Sequence, residues 1–74
     1  MSKLPAISGQ QAIRALEKIG FEIIRQKGSH VRLKDEDERV TTIPIHPGKT
    51  LGKGLLRKII GDVELTVEEF IELL

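Results

Sequence analysis

The spacing of the apolar residues changes twice along the chain, and this change constrains the fold more than any other feature. Residues 12–19 place apolar side chains at helical spacing, residues 21–45 contain three short β-forming runs, and helical spacing returns at residues 55–60. The predicted order is therefore helix, three strands, helix. Helices that flank a run of strands are typical of an α+β fold, in which an antiparallel sheet has its helices on one face.

Capping signals locate the first helix. Ser8 and Gln11 have the spacing of a capping box, in which each side chain satisfies a backbone donor of the other residue. Gly20 follows the last apolar residue of the helical stripe, and glycine readily adopts the left-handed conformation of a C-terminal cap. These signals predict a helix over residues 9–19.

The second helical segment has a poorly defined start, because two glycines fall in its first turn. We expect this helix to stop at Gly61. Thr66 and Glu69 form another capping box, with Leu65 and Phe70 spaced for a hydrophobic staple. They predict a short additional helix over residues 67–73.

The middle of the chain predicts a hairpin and a third strand. Residues 21–26 form the first strand, Lys27 and Gly28 the turn, and residues 29–34 the second strand. A third strand is expected over residues 39–45. Pro44 cannot donate to a strand ladder, so this strand should lie at a sheet edge or end there.

The second strand alternates between apolar and polar residues. Val31 and Leu33 point to one face and must contact the core, whereas His30, Arg32 and Lys34 point to the other face. We therefore expect the sheet face opposite the helices to be exposed, with a histidine beside two cations.

Composition excludes several classes of protein. The 74 residues are enough for a single domain, residues 1–74, with a small aliphatic core. Cysteine is absent, which excludes disulfides and thiolate zinc sites, and two histidines make a poor metal site. No apolar run is long enough to span a membrane and no signal peptide is evident. We expect a cytoplasmic protein that needs no metal or cofactor.

Charges are segregated along the chain although the net charge is only +1. Residues 1–34 contain seven Lys or Arg and two acids, residues 35–38 are all acidic, residues 39–58 contain five Lys or Arg and no acid, and residues 59–74 contain five acids and no base. This pattern is compatible with a basic face that binds anions, and equally with a solvated surface that has no electrostatic role.

His30 is the candidate for chemistry. An exposed imidazole can accept or donate a proton near neutral pH, and Lys27, Arg32 and Lys34 could hold an anionic substrate. RNA suits both properties, because its 2′-hydroxyl can attack the adjacent phosphate once a base removes the proton. The alternative is a surface histidine without a catalytic role. Ser29 is more simply a turn residue than a nucleophile.

Other basic residues also have two interpretations. Lys53 and Arg57 fit the solvated side of an amphipathic helix, and they could equally contact RNA phosphates. His46 lies between Pro44 and Pro47, which is typical of a loop residue. It is also a candidate second catalytic group that protonates the leaving oxygen.

Four segments, in this order and spacing, resemble the HicA family of toxin–antitoxin toxins. They are L-E-K-I-G-F, R-Q-K-G-S-H-V-R-L-K, T-T-I-P-I-H and K-G-L-L-R-K-I-I, and the similarity extends from Ser8 to about Glu69. The resemblance implies a double-stranded-RNA-binding-domain-like fold of α-β-β-β-α order. It also implies metal-independent cleavage of mRNA with His30 as the catalytic residue.

The same resemblance implies that Gly28 and Ser29 belong to the RNA-binding element. It implies a HicB-type antitoxin as partner, with contact to DNA only indirectly through that antitoxin. Two alternatives remain from the residues themselves. One is a non-catalytic RNA-binding module of the same fold, and the other is a subunit whose exposed face only binds a protein partner.

Overall fold

A computed structural model describes residues 3–74 and confirms the predicted α+β order, with an extra helix at the end. The elements are α1 (Gly9–Glu17), β1 (Glu22–Lys27), β2 (His30–Lys34), β3 (Val40–Pro44), α2 (Lys53–Asp62) and α3 (Val67–Glu72). The three strands form one antiparallel sheet in the order β1-β2-β3, so β2 is the central strand.

One aliphatic core joins the helices to one face of the sheet. Val31 and Leu33 of β2 are 1% and 0% exposed, as their alternation with charged residues predicts. The side chains that pack with them from the other elements are Ala12, Ile13, Leu16, Ile43, Leu56, Ile59, Ile60 and Phe70. The opposite side of the sheet, called here the open face, has no helix packed on it.

Gly20 caps the first helix as predicted, although the helix itself ends at Glu17, two residues before the predicted end. Gly20 has a φ of +99° and its N–H donates to the carbonyl of Glu17 at 3.2 Å. The N–H of Phe21 donates to the carbonyl of Leu16 at 3.1 Å. Together these bonds form the Schellman arrangement, and the buried side chains of Leu16 and Phe21 make the apolar contact that accompanies it.

The prediction that Gly61 stops the second helix is wrong. The helix continues through this glycine, and the same Schellman arrangement occurs three residues later. There the N–H of Leu65 donates to the carbonyl of Ile60 at 3.2 Å, and Glu64 has a φ of +57°. Capping geometry, rather than residue type, therefore determines the end of α2, and a glutamate occupies the left-handed position.

The predicted turn at Lys27 and Gly28 is displaced by one residue. Lys27 is the last residue of β1 and pairs with His30, so Gly28 and Ser29 are the two turn residues. Gly28 has a φ of +59°, which matches the positive φ at the first central position of a type II′ turn. The outcome is a tight hairpin that begins β2 at His30.

A β-bulge changes which residues of β1 reach the open face. Ile23, which is 48% exposed, pairs with Leu33, whereas Arg25 pairs with Arg32 on the open face, and Ile24 is the extra residue. Strict alternation would have put Arg25 on the same side as Ile23. Because of the bulge, the cations of β1 and β2 lie on one face.

A buried ion pair joins the β2–β3 connection to the end of α2. The Asp35 carboxylate, 8% exposed, accepts from the Nε–H of Arg39 at 2.6 Å and from its backbone N–H at 2.8 Å. The same guanidinium donates to the carbonyl of Val63 at 2.8 Å and lies 5.4 Å from the ring centre of Phe21. The acidic run at residues 35–38 therefore contributes to the tertiary structure through Asp35.

This ion pair predicts a specific loss of stability in acid. Burial alone would raise the pKa of Asp35, but the hydrogen bonds and charge of Arg39, with the N–H of Asp37, lower it below the usual 3.8. A depressed folded-state pKa gives stability that is present above pH 3.8 and is lost as the pH falls below it. In urea unfolding at a series of pH values, we expect Asp35→Asn to be less stable at neutral pH and to lose less stability in acid.

The exposed neighbour Glu36 supplies the control, because it forms no hydrogen bond or ion pair with Arg39. Glu36→Gln should retain the acid dependence of the parent protein. Parallel pH curves for Asp35→Asn and the parent would contradict the role assigned to the pair.

Candidate functional site

The open face places cations on both sides of a histidine. His30 lies at the start of the central strand, opposite Lys27 of β1 and Pro44 of β3. Arg32 is the next residue of β2 on this face, and it pairs with Arg25. His30 and Arg32 are both exposed, as their alternation with Val31 and Leu33 predicts.

Like charges meet directly across the β1–β2 ladder. Arg25 and Arg32 are paired residues, and neither forms an ion pair with a carboxylate within residues 3–74. Within residues 3–74, the one hydrogen bond of the Arg32 guanidinium is to the hydroxyl of Thr42, at 3.3 Å. Like charges placed opposite each other are destabilising, so a bound anion would be favoured at this position.

A cleft opens where β3 ends. It has a volume of about 300 Å³ and extends from Gly9 at the start of α1 to Leu55 in the first turn of α2. Other residues that line it are His30, Pro44, His46, Lys49, Thr50, Leu51 and Gly52. This histidine cleft therefore contains both histidines of the chain and a lysine.

The strand ladder explains how His46 reaches the cleft. The N–H of Ile45 donates to the carbonyl of Ser29 at 2.7 Å, which continues the β2–β3 pairing one residue beyond β3. Alternation then places His46 on the same side as Pro44, the partner of His30. Both histidines line the same cleft, and its volume of about 300 Å³ leaves room for a phosphate.

Both imidazoles are available to a substrate. His30 and His46 are exposed, and neither side chain has a hydrogen-bond or ion-pair partner among the described residues. The Lys49 ammonium is also exposed and unpaired there. Because no protein group holds either ring, a ligand can use both nitrogens of each imidazole as donor or acceptor.

The other predicted residues differ in their distance from the cleft. Lys27 and Arg32 are next to His30, but Lys34 lies four residues further along β2, about 13 Å away at strand spacing. Its ammonium is 2.7 Å from the Glu38 carboxylate. Lys53 and Arg57 are exposed on α2 and do not line the cleft.

Two cations of this region were not predicted. Lys49 follows His46 by three residues, so its proximity in the sequence was a usable signal. Arg25 had no such signal, because only the bulge at Ile24 moves it to the open face.

The comparisons with known proteins identify the family. The family described as HicA toxin of bacterial toxin–antitoxin matches residues 9–65, most of the chain. The chain belongs to the HicA toxin family. The match includes the whole sheet and all of the residues that line the histidine cleft, including His30 and His46. No curated protein matches the sequence.

Membership assigns this HicA-family chain the role of a toxin within a toxin–antitoxin system, which implies an antitoxin as partner. Two structural observations accompany it. No helix within residues 3–74 is long and apolar enough to cross a membrane. Nor do the described residues include a group of three or more histidines or carboxylates arranged to hold a metal ion.

Proposed function

We propose that this toxin is a ribonuclease that cleaves mRNA by general acid–base catalysis, with His30 as the catalytic residue. The single domain spans residues 1–74 and acts in the cytoplasm, where its substrate is found. The reaction uses the 2′-hydroxyl of the RNA as nucleophile, so the mechanism requires no metal or cofactor.

The observation that supports this proposal is the cross-strand position of His30. Its exposed, unpartnered imidazole has Lys27 opposite it and Arg32 next to it on the open face. A base in this position can remove the 2′-proton while the cations stabilise charge that develops on the phosphate.

The remaining cations would position the RNA backbone. Lys27, Arg32 and the backbone of Gly28 and Ser29 surround His30, whereas Lys34 would contact phosphate at the far end of the face after leaving Glu38. Lys53 and Arg57 extend the basic surface along α2. Such phosphate contacts fix register without reading the base sequence, and they make binding dependent on salt.

A HicB-type antitoxin would inhibit the toxin by covering the open face. The basic character of this face favours a partner with acidic side chains at the contact, because complementary charge steers association. Contact of the pair with DNA would then be made by the antitoxin and not by this chain.

Substitution in the RNA substrate tests the reaction itself. We expect the purified toxin to cleave an RNA oligonucleotide in the presence of a chelator and to leave a 2′,3′-cyclic phosphate. The same oligonucleotide with 2′-deoxy residues should bind and remain intact, because it lacks the nucleophile. Equal cleavage of both substrates would rule out the proposed mechanism.

The same assay separates the enzyme from a non-catalytic RNA-binding module. That alternative is favoured by the basic open face alone, since shape and backbone contacts suffice to bind structured RNA. Tight, salt-dependent binding of both oligonucleotides without any product would support it over the ribonuclease.

A further inference from the structure

We propose that His30 and His46 act as an acid–base pair across the histidine cleft, with Lys49 binding the scissile phosphate between them. This inference rests on the proposed ribonuclease function and identifies the second proton-transfer group. His30 acts as the base toward the 2′-hydroxyl, and His46 acts as the acid toward the leaving 5′-oxygen.

The shape of the cleft supports a pair over a single histidine. Both imidazoles line the same 300 Å³ space, and the Ile45–Ser29 hydrogen bond joins the residues next to them in the chain, which holds the two backbones close together. A second bond, from the N–H of Leu51 to the carbonyl of Ile7 at 2.7 Å, anchors the far end of the loop. The loop that contains His46 is therefore fixed at both ends, although the imidazole itself is exposed and has no hydrogen-bond partner among residues 3–74.

The position of Lys49 completes the site. It lines the cleft with both histidines, whereas Lys34 is paired with Glu38 and Lys53 lies outside the cleft. The Thr50 hydroxyl lines the same space and can donate a further hydrogen bond to a phosphate oxygen. Of the cations in the loop and α2, Lys49 is therefore the one placed to stabilise charge on a phosphate held between the rings.

The proposed reaction balances. Neutral His30 takes the 2′-proton as the bond from the 2′-oxygen to phosphorus forms. As the bond from phosphorus to the 5′-oxygen breaks, the imidazolium of His46 gives its proton to that oxygen. The products are a 2′,3′-cyclic phosphate and a 5′-hydroxyl, and the two histidines have exchanged protonation states. In-line displacement needs the two groups on opposite sides of phosphorus, which two separated imidazoles can supply.

A substrate with a better leaving group distinguishes the acid from a merely structural residue. RNA with sulfur in place of the bridging 5′-oxygen needs no protonation of the leaving group. We expect His46→Ala and His46→Gln to slow single-turnover cleavage of ordinary RNA by about 10²–10⁴-fold. On the sulfur substrate both variants should cleave at nearly the rate of the parent, whereas His30→Ala should remain slow on both.

Two further measurements test the assignment of His46 as the acid. The parent should show a bell-shaped pH–rate profile, and His46→Ala should lose the decline at high pH, which reports the acid. Lys49→Gln should slow the cleavage step on both substrates, and Arg14→Ala, an exposed change on α1 away from the cleft, should leave it unchanged.

The outcomes distinguish this inference from the proposed function. Parent-like cleavage of ordinary RNA by His46→Ala would overturn the pair while leaving the ribonuclease intact. Rescue of His30→Ala, rather than of His46→Ala, by the sulfur substrate would overturn the assigned roles. An inactive parent on every RNA tested would instead contradict the ribonuclease function itself.

Discussion

His30→Ala is expected to slow RNA cleavage by about 10²–10⁴-fold, the usual contribution of a positioned acid or base. The variant should nevertheless fold as the parent does. His30 is exposed, has no side-chain partner among residues 3–74, and contributes to the hairpin only through its backbone. Substitutions at such surface positions usually change stability by less than about 0.5 kcal/mol.

Two measurements on the same sample check this result. Cleavage of RNA under single-turnover conditions gives the chemical step, and thermal unfolding shows whether the variant retains the native structure. In cells without antitoxin, the variant should no longer arrest growth. Arg14→Ala is the control for an exposed charge remote from the site, and it should retain full activity. A His30→Ala protein that cleaves RNA as the parent does would contradict the catalytic role of His30. A loss of activity caused by unfolding of the variant would also fail to support that role.

Gly9→Ala is expected to have the largest effect on stability. A Cβ atom at Gly9 would lie 2.1 Å from the carbonyl oxygen of Pro44, so either α1 or β3 must move. We expect a loss of about 3 kcal/mol, the upper end for overfilled sites. A domain of this size has a total stability of about 4–11 kcal/mol, so the Tm should fall by more than about 10 °C.

The same substitution at Gly61 is the matched control, with the opposite expected sign. Gly61 lies inside α2, and nothing is within 4 Å of the Cβ that alanine would add. Replacing a helical glycine by alanine stabilises by about 0.5–1 kcal/mol. Thermal or urea unfolding should therefore move the two variants in opposite directions. Equal effects would show that the close approach of α1 to Pro44 is not what requires Gly9.

The contact at Gly9 also connects the fold to the site. Gly9 and Pro44 both line the histidine cleft, and Pro44 pairs with His30. A displacement of α1 by a new methyl group would therefore open the cleft as well as weaken the core. Reduced cleavage by Gly9→Ala, measured below its unfolding temperature, would be consistent with that connection.

The sequence alone determined which residues face the core and which face solvent on β2. Val31 and Leu33 alternate with His30 and Arg32, and a two-residue period leaves a single way to bury the apolar pair. Both capping boxes were equally clear, because each depends on side chains three residues apart. These features are local, and local spacing is visible in a linear sequence.

Features that depend on which backbone groups and side chains pair, whether near or far in the chain, were decided only by the tertiary structure. The bulge at Ile24 moved Arg25 to the open face. The ion pair between Asp35 and Arg39 gave the β2–β3 connection a structural role. The end of α2 lies past Gly61 because the capping N–H groups are those of Glu64 and Leu65, which donate to the carbonyls of Gly61 and Ile60.

The proximity of the two histidines was also decided only by the tertiary structure. Sixteen positions separate His30 from His46, and no local pattern indicates that they meet. Their common cleft results from the β2–β3 register, in which His30 pairs with Pro44 and Ser29 bonds to Ile45. The sequence therefore determined that His30 is exposed beside cations, because alternation is a property of one strand. Only the tertiary structure decided that His46 and Lys49 lie with it, because that depends on hydrogen bonds between strands.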